Sequence, residues 1–427
     1  MLNRKLSSLI ICTLFILPFF CPGKAAAEQG NSLYINVKDF GASGADTLDD
    51  TKSIQKALNQ ANLNNGALVV VPDGEYLLSG SLKIGSNTHL LLSDQTVFKR
   101  NKAYTPMIRN NTKGAAGYLG NHDITIEGGM WEGNSSQFPS KFNHMTFGHA
   151  KNIVIKNTRL FNSYGSHDIE LAGVQNGKVL NNYIEGYRGE YEKEAIQLDI
   201  VHNAKNFPGF GEYDNTPCNQ ILIEGNTIVN HSRGIGNHTS VPGVFQTKIK
   251  IYNNHFKELQ HEGIDALDFN KLYIRKNSFE EVGLGIEIRV DAGIPDAPNI
   301  EITNNQIRKT KTSTKTPGNG IILEGNQLYP LRHVKIIDNV IMGAENDGIY
   351  VQNTTTSFVI HNRVFQSGGN GISLHLGANQ NMVQHNILEL NKKNGISIDG
   401  ASMNRIEKNQ IYINGADGIH ISPSSPD

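Results

Sequence analysis

Short segments in which apolar and polar residues alternate recur along most of the chain. Five of them, between residues 167 and 289, are variants of one pattern and read HDIEL, EAIQLDI, RGIGNHT, EGIDALDF and LGIEIRV. Such alternation is typical of β-strands, whose successive side chains point to opposite faces. One isoleucine sets the register of each segment, so the residues one and three places later share the opposite face. The five isoleucines are Ile169, Ile196, Ile235, Ile264 and Ile286.

A second segment recurs from residue 120 onwards: a short apolar strand, then an asparagine, then an apolar residue two places on. Examples are IVIKNTRL, ILIEGNTI and LYIRKNSF, and the tightest spacing is about 23 residues, a repeat length typical of a solenoid. Asparagine tolerates the left-handed turn conformation, and stacked amides hydrogen-bond along an axis. We therefore predict a parallel β-helix with at least two strands per coil and a structural asparagine ladder. Its members are Asn157, Asn182, Asn226, Asn254, Asn277, Asn305, Asn339, Asn362, Asn386 and Asn409.

The segment at residues 34–58, YINVKDFGASGADTLDDTKSIQKAL, and the following VVVPDGEYLL precede this repeat. Asp49 or Asp50 is expected to cap a helix that buries Ile54, Ala57 and Leu58. In wording and order the segment resembles the opening of the pectate-lyase-like superfamily, "DFGA.GDG..DDT.AIQ.A". The resemblance implies an all-β, right-handed parallel β-helix (solenoid) with a short N-terminal capping helix. This N-terminal segment is shared by hydrolases, lyases, epimerases and phage tailspikes, so it does not indicate which of these activities the chain has.

Composition agrees with this fold, because 43 glycines and a hydrophobic content of 38% suit a β-rich chain of 427 residues with many turns. A formal charge of −1 gives no indication of a nucleic-acid partner. We predict three segments: a signal peptide at 1–27, an N-terminal cap with the first coils at 28–110, and the β-helix with its ladder at 111–427.

The N-terminus has the features of an export signal. Arg4 and Lys5 precede an apolar run that is too short for a membrane span, and Ala25 to Ala27 form a cleavage site. The sequence therefore predicts a secreted protein, cleaved near Ala27, with no stable membrane anchor. Cys218 is then the one cysteine of the mature chain, which excludes an internal disulfide.

Ionisable residues crowd the outward face of the middle coils. One predicted column carries Glu170, Gln197, Asp265 and Glu287, the next carries Asp199, His238 and Arg289, and the strand edges add His167, Asp168, Glu194, Arg233, Glu262 and Asp268. Like charges stacked so closely raise one another's pKa and cost stability. This crowding favours catalysis or ligand binding over a plain solvated face.

Acid–base catalysis by two carboxylates is the chemistry that this pattern predicts. Asp199 and Asp265 are placed two coils apart, about 9–10 Å between backbones, with His238 on the coil between them. Inverting glycosidases separate their carboxylates by about 6.5–9.5 Å to admit a water molecule. Glu170 is the alternative partner of Asp199, and His238 is expected to orient a carboxylate or the sugar.

Substrate binding is predicted for the residues around this pair. Arg289 is expected to bind a carboxylate or hydroxyl groups of the substrate. Tyr213 belongs to a long insertion between two ladder asparagines, whose aromatic rings either stack on sugars or cover the flank of the solenoid. The full set of predicted binding residues is Arg289, Glu287, Gln197, Arg233, His167, Tyr164 and Tyr213.

Two enzyme families supply competing resemblances. The segments QLD (197–199), GIGNH (234–238) and EIRV (287–290) are similar in order to the Asp-rich, "GHG" and "RIK" coils of polygalacturonase-type glycosidases. The paired Asp and the Lys of that pattern are absent. The segment SYGSHD resembles the Tyr-Gly…Asp-Pro-His pattern of mannuronan epimerases, without its proline. That resemblance implies that Tyr164 and His167 transfer a proton beside a uronate carboxylate.

Further alternatives are a lyase whose acidic cluster binds Ca²⁺, and a non-catalytic glycan-binding surface protein. The latter predicts aromatic and neutral polar columns rather than charges. Without a cation, an acidic groove repels a polyanion, which favours the hydrolase. The predicted partner is thus a polysaccharide, and an acidic polysaccharide is also compatible with the sequence. No cofactor other than Ca²⁺ is indicated. Nothing in the sequence selects an oligomeric state.

Overall fold

The computed structural model describes residues 33–295 and 298–423. The predicted signal peptide at 1–27 lies outside these residues. The described chain winds into a parallel β-helix in which a typical coil contributes one strand to each of three parallel sheets. The all-β fold with a single short α-helix is thereby confirmed. None of the described helices is long and apolar enough to cross a membrane.

The first sheet contains the GI strands of the repeat. Its strands are Leu82–Ile84, Ile108–Asn110, Met145–Lys156, Ile169–Gln175, Glu194–Asp199, Arg233–Gly236, Glu262–Leu267, Leu284–Arg289, Ile321–Glu324, Ile349–Gln352, Ile372–Leu374, Ile396–Ile398 and Ile419–Ile421.

The second sheet follows in each coil and shares the long strand Met145–Lys156 with the first. Its other strands are Tyr34–Asn36, Ala67–Val71, Thr88–Leu92, His122–Glu127, Lys178–Leu180, Leu222–Glu224, Gln246–Tyr252, Phe269–Arg275, Ile300–Thr303, Val334–Ile337, Phe358–Ile360, Met382–Gln384 and Arg405–Glu407.

The third sheet closes each coil. Its strands are Gly74–Leu78, Thr96–Arg100, Met130–Glu132, Arg159–Tyr164, Tyr183–Arg188, Thr227–Val229, His255–Lys257, Ser278–Val282, Gln306–Thr310, Val340–Met342, Arg363–Phe365, Ile387–Glu389 and Gln410–Tyr412. The remaining elements are a two-stranded pair, Leu331–Arg332 with Thr354–Thr355, the 3₁₀ helix Val37–Phe40 and the α-helix Thr51–Leu63.

Strand pairing confirms the register that the isoleucines predict. The five isoleucines are fully buried between the sheets, and their outward neighbours form one aligned column. The paired positions of this column run Thr146, Glu170, Gln197, Gly236, Asp265, Glu287, Ile322, Tyr350, Ser373, Ser397 and His420. The side-chain period of two and the stacking of like strands are sufficient to fix this arrangement.

Nine of the ten predicted asparagines, from Asn182 to Asn409, form a continuous buried ladder. The backbone N–H and the side-chain amide of each member donate to the Oδ1 of the next at 2.8–3.1 Å. The left-handed conformation belongs to the residue before each member, such as Asn181 or Lys276. The prediction is wrong for Asn157, which occupies that preceding turn position, while Thr158 bonds to Asn182 in its place.

The α-helix lies against the N-terminal coils and buries Ile54, Ala57 and Leu58 as predicted. Asp50 is its N-cap residue, but its carboxylate accepts the N–H of Ser43 instead of a helix N–H (2.8 Å). By packing against these coils, the helix covers apolar core that they would otherwise expose.

Candidate active site

A cavity of about 650 Å³ lies on the outer face of the first sheet. It brings together four of the residues singled out from the sequence, Glu170, Asp199, His167 and His238. The strands Ile169–Gln175 and Glu194–Asp199 form its floor, and loops between coils form its walls. The cavity thus lies where the predicted ionisable columns begin.

Glu170 lies at the bottom of the cavity and is 8% exposed. Its Oε2 accepts hydrogen bonds from Asn143 Nδ2 at 2.5 Å and from Thr146 Oγ1 at 3.2 Å. Burial, followed by the charge of Asp199, raises the pKa of Glu170 to about 8. Its carboxyl group therefore holds a proton at neutral pH.

Asp199 ends the neighbouring strand and is 3% exposed. It pairs with Ala172, two residues beyond Glu170, so the Cα atoms of the two acids are about 8 Å apart by strand geometry. Burial raises the pKa of Asp199, while His238 and the 2.9 Å hydrogen bond from Gln197 Nε2 oppose that rise. The two carboxyl groups thus share one cavity in different hydrogen-bonding environments.

Two stacked histidines stand beside these acids. The rings of His167 and His238 are 5.8 Å apart at an interplanar angle of 23°. The buried carboxylate of Glu194 lies 3.5 Å from Nδ1 of His167 and 3.3 Å from Nδ1 of His238. Glu194 therefore fixes the position of both rings.

The two rings differ in charge. Burial lowers the pKa of His167 to about 3, so its imidazole is neutral, and its Nδ1–H donates to the backbone carbonyl of Glu194 at 3.0 Å. Burial also disfavours the charged form of His238, but Glu194 outweighs this and raises its pKa. The site thus contains a neutral imidazole beside one whose pKa is raised.

Four basic side chains line the same cavity: Arg109, Lys141, Lys193 and Lys205. The guanidinium of Arg109 donates to the Gly209 carbonyl at 3.1 Å and lies 5.1 Å from the centre of the Phe210 ring. Four bases against two carboxyl groups make the cavity attractive to an anion. The expectation of an acidic groove that repels a polyanion is therefore wrong here. Lys141, Lys193 and Lys205 come from loops and strand ends outside the predicted columns, and Arg109 extends the first column by one coil beyond Thr146.

Asp265 does not line this cavity and belongs to an ion cluster that Arg233 connects to Glu194 at 3.5 Å. Arg289 Nη2 contacts its two carboxylate oxygens at 2.7 and 2.8 Å, and Arg233 Nη1 lies at 3.3 Å. Arg233 also contacts Glu262 at 2.5 Å, and Arg289 contacts Glu287 at 3.2 Å. The structure therefore separates Asp199 from Asp265, and Arg289, Glu287 and Arg233 belong to this second cluster.

The other predicted binding residues have supporting positions. Gln197 is fully buried and holds Asp199, and Tyr164 packs against the core at the end of its strand. The hydroxyl of Tyr213 donates to the carbonyl of Phe207 at 3.1 Å, which braces the insertion. Phe207 and Phe210 are 2% and 5% exposed and form one wall of the cavity. These two rings cover the solenoid flank, so they do not offer an open stacking surface.

Sequence reasoning missed several residues of the site. Asn143 and Lys193 lie just before first-sheet strands, where strand alternation gives no orientation. Arg109 is the central residue of the strand Ile108–Asn110 and pairs with Thr146, so extending the outward column by one coil would have found it. Within residues 33–295 and 298–423, no group of three or more His, Cys, Asp or Glu side chains is arranged to hold a metal ion.

Family models match nearly the whole described chain. Residues 34–287 match the model described as rhamnogalacturonase A/epimerase, pectate lyase-like. Residues 294–426 match the model of the right handed beta helix region. The first match alone covers more than half of the chain.

Among curated relatives, the chain is similar to plasmin and fibronectin-binding protein A of Streptococcus pneumoniae. The two are 27% identical over 282 residues, which are 58% of this chain and 39% of that protein. The chain is also 36% identical over 106 residues to a mannuronan C5-epimerase of Azotobacter vinelandii, covering 22% of this chain and 8% of that enzyme. It therefore spans well under half the length of these relatives.

A solved structure extends the likeness in fold. The crystal structure of a surface adhesin of Streptococcus pneumoniae aligns with a TM-score of 0.66 at 21% identity, covering 90% of this chain and 93% of that chain. Identity at this level establishes a shared β-helix and carries no residue roles.

Proposed function

Because the chain belongs to the rhamnogalacturonase A/epimerase, pectate lyase-like family, we propose that it hydrolyses an acidic polysaccharide in the cavity that contains Glu170 and Asp199. The observation that carries this proposal is the pair of carboxyl groups in one cavity, one of them with a pKa of about 8. Two acids whose environments differ in this way can divide the roles of acid and base.

Glu170 is the proposed general acid. It gives its proton to the glycosidic oxygen as the bond between that oxygen and the anomeric carbon breaks. Asp199 takes a proton from the water whose oxygen forms the new bond to the anomeric carbon. The products are two shorter chains, and the net change is the addition of one water molecule.

The basic lining supplies substrate recognition in this proposal. Arg109, Lys141, Lys193 and Lys205 would bind the carboxylates of uronate residues, and Arg109 offers a planar pair of donors. Gln197 and Glu194 would act as positioning residues for Asp199 and for the two histidines. The sugar class inferred from these contacts is a uronate-containing polysaccharide.

We also propose that the protein acts outside the cell. The basic start, apolar run and Ala25–Ala27 site of residues 1–27 support export, as does similarity to a protein that is described as a surface adhesin. Polysaccharides with carboxylate groups are substrates that an exported enzyme would meet there.

Substitution of the two acids tests the reaction. Glu170→Gln and Asp199→Asn should each lower hydrolysis of polygalacturonate, rhamnogalacturonan or alginate by about 10²–10⁴-fold, measured as new reducing ends. Glu324→Gln is the matched control, because Glu324 occupies the same outward face but is exposed and outside the cavity. Unchanged turnover in Asp199→Asn would contradict the assignment.

A uronate lyase or C5-epimerase is the second candidate, favoured by the neutral His167 and by the similarity to a mannuronan C5-epimerase. His167 would accept the proton from C5 while the bases hold the carboxylate. A new ultraviolet-absorbing double bond would identify a lyase, and altered uronate composition without cleavage would identify an epimerase. If every substrate binds and none changes, the protein is a glycan-binding surface protein.

A further inference from the structure

Four lysines surround a cavity of about 480 Å³ on the second sheet, apart from the cavity that contains Glu170. We call this site the lysine groove; its bases are Lys178, Lys248, Lys250 and Lys271. Ile221 and Leu222 contribute apolar surface and Tyr273 an aromatic ring, and no carboxylate occurs among the described residues of its lining.

The strand register gives the groove its spacing. Lys178, Leu222, Lys250 and Tyr273 occupy one column on successive coils. Lys178 and Lys250 are therefore two coils, or about 10 Å, apart. Lys248 and Lys271 lie at the adjoining turns of neighbouring coils, with φ angles of 58° and 54°. Lys178 and Lys250 thus alternate with Leu222 and Tyr273 along one column, and Lys248 and Lys271 lie beside it.

These lysines have no ion-pair partners in the described chain, in contrast to others nearby. On the same sheet, Lys156 contacts Glu127 at 3.0 Å and Lys335 contacts Glu301 at 3.1 Å. The lysine ion pairs of the described residues involve other lysines. Like charges placed side by side repel, so the groove carries a cost that an anionic ligand would remove.

We propose that the lysine groove is a non-catalytic binding site for a second segment of an anionic polysaccharide. Carboxylates spaced along a polymer would contact successive ammonium groups, and the apolar faces of its sugars would lie on Leu222 and beside Tyr273. Lys178 belongs to the same turn of the solenoid as Glu170, so the two sites lie at one axial level. A polymer held in the groove would be concentrated near the cavity. This last step rests on the proposed function, whereas binding in the groove does not.

Neutralising the groove tests the proposal. The variant K178Q/K248Q/K250Q/K271Q is compared with K52Q/K56Q/K392Q/K393Q, which removes four exposed lysines elsewhere and changes net charge equally. Binding of long alginate and of polygalacturonate to the mature chain is measured by biolayer interferometry at low and moderate salt. Dextran serves as the neutral polymer and polyphosphate as an anion without sugars.

The groove variant should bind both uronate polymers about tenfold more weakly than the control variant, with a shallower dependence on salt. Melting temperature and turnover of a uronate trisaccharide should match the control, because the short substrate cannot reach the groove from the cavity. Equal affinity of the two variants for the polymers would overturn the proposal. A loss of polyphosphate binding as large as the loss of uronate-polymer binding would also overturn it, since that would indicate simple charge attraction. If the native chain binds through the groove but turns over no polymer, the groove stands and the proposed hydrolase fails.

Discussion

The raised pKa of Glu170 leads to a prediction that requires no knowledge of the substrate. Its carboxyl group rises from an ordinary pKa of 4.5 to about 8, first through burial and then through the charge of Asp199. The folded state therefore holds this proton more tightly than the unfolded chain does. This contribution to stability is complete below about pH 4.5 and is lost as pH rises through about 8.

The magnitude follows from the size of the shift. One pKa unit corresponds to about 1.4 kcal/mol, so the free energy of unfolding should fall by up to about 5 kcal/mol across this window. Glu170→Gln keeps the acceptor for Asn143 but cannot ionise. The variant should therefore become steadily more stable relative to the native protein between about pH 5 and pH 8.

Denaturation midpoints of the two proteins at several pH values measure this difference. Asp199→Asn provides a second check, because removing the Asp199 charge should lower the pKa of Glu170 while burial still holds it above 4.5. A difference between native and Glu170→Gln that stays constant with pH would refute the reasoning. In turnover, hydrolysis should decline above about pH 8, where Glu170 loses the proton that it donates.

Three further predictions concern the ladder, the buried core and substrate affinity. Asn277→Ala should lower the free energy of unfolding by about 3–5 kcal/mol, because it leaves buried amides and a carbonyl unpaired. The control Asn157→Gly, at an exposed left-handed turn, should cost under about 1 kcal/mol. Similar losses in the two variants would contradict the role of the ladder. Burial raises the pKa of Asp168, but hydrogen bonds from two histidines outweigh this and lower it to about 2, so Asp168→Asn should lose about 3 kcal/mol at pH 7 and the deficit should shrink as pH falls through about 4 to 2. Thermal unfolding of Asp168→Asn and of the native protein at pH 7 and at about pH 2 measures this deficit. A deficit that does not change with pH would contradict the prediction. Lys193→Gln should raise KM for uronate substrates about tenfold and leave kcat nearly constant, since it removes a charge that attracts the ground state and the transition state alike. A fall in kcat of about tenfold would instead assign Lys193 to the chemical step.

Much of the fold could be predicted because two periodicities are regular. Alternation of side chains fixes which face each residue takes, and stacking of like strands fixes which residues are neighbours. The predicted column of Glu170, Gln197, Asp265 and Glu287 is consequently correct at each of these positions. The prediction for Asn157 was wrong because the ladder position and the preceding turn position both accept asparagine, and the sequence pattern does not distinguish these two positions.

The site could be predicted only in part. Glu170, Asp199 and His238, which line the candidate cavity, could be singled out because strands and their immediate ends carry them, and His167 because it adjoins a strand. Lys141, Lys193 and Lys205 were missed because they lie in loops, whose side chains strand register does not orient. Arg109 was missed because the column was not extended to the coil before Thr146. Asp265 was paired with Asp199 by counting coils, which gives backbone distance but not the salt bridges that a side chain makes.

Those salt bridges distinguish the two ends of the charged column. Asp265 and Glu262 contact arginines, whose positive charge cannot be removed near neutral pH and opposes the rise that burial causes in the pKa of each carboxyl group. Glu170 and Asp199 instead accept hydrogen bonds from amide and hydroxyl groups. Burial raises the pKa of both acids, and for Glu170 it outweighs the opposing charges of Arg109 and Lys193. A proton that can be gained and lost near neutral pH is what an acid catalyst requires. Burial also raises the pKa of Glu287, in the arginine cluster, to about 8, so the position of Glu170 beside Asp199 in one cavity, rather than its pKa alone, supports the proposal that it is the acid.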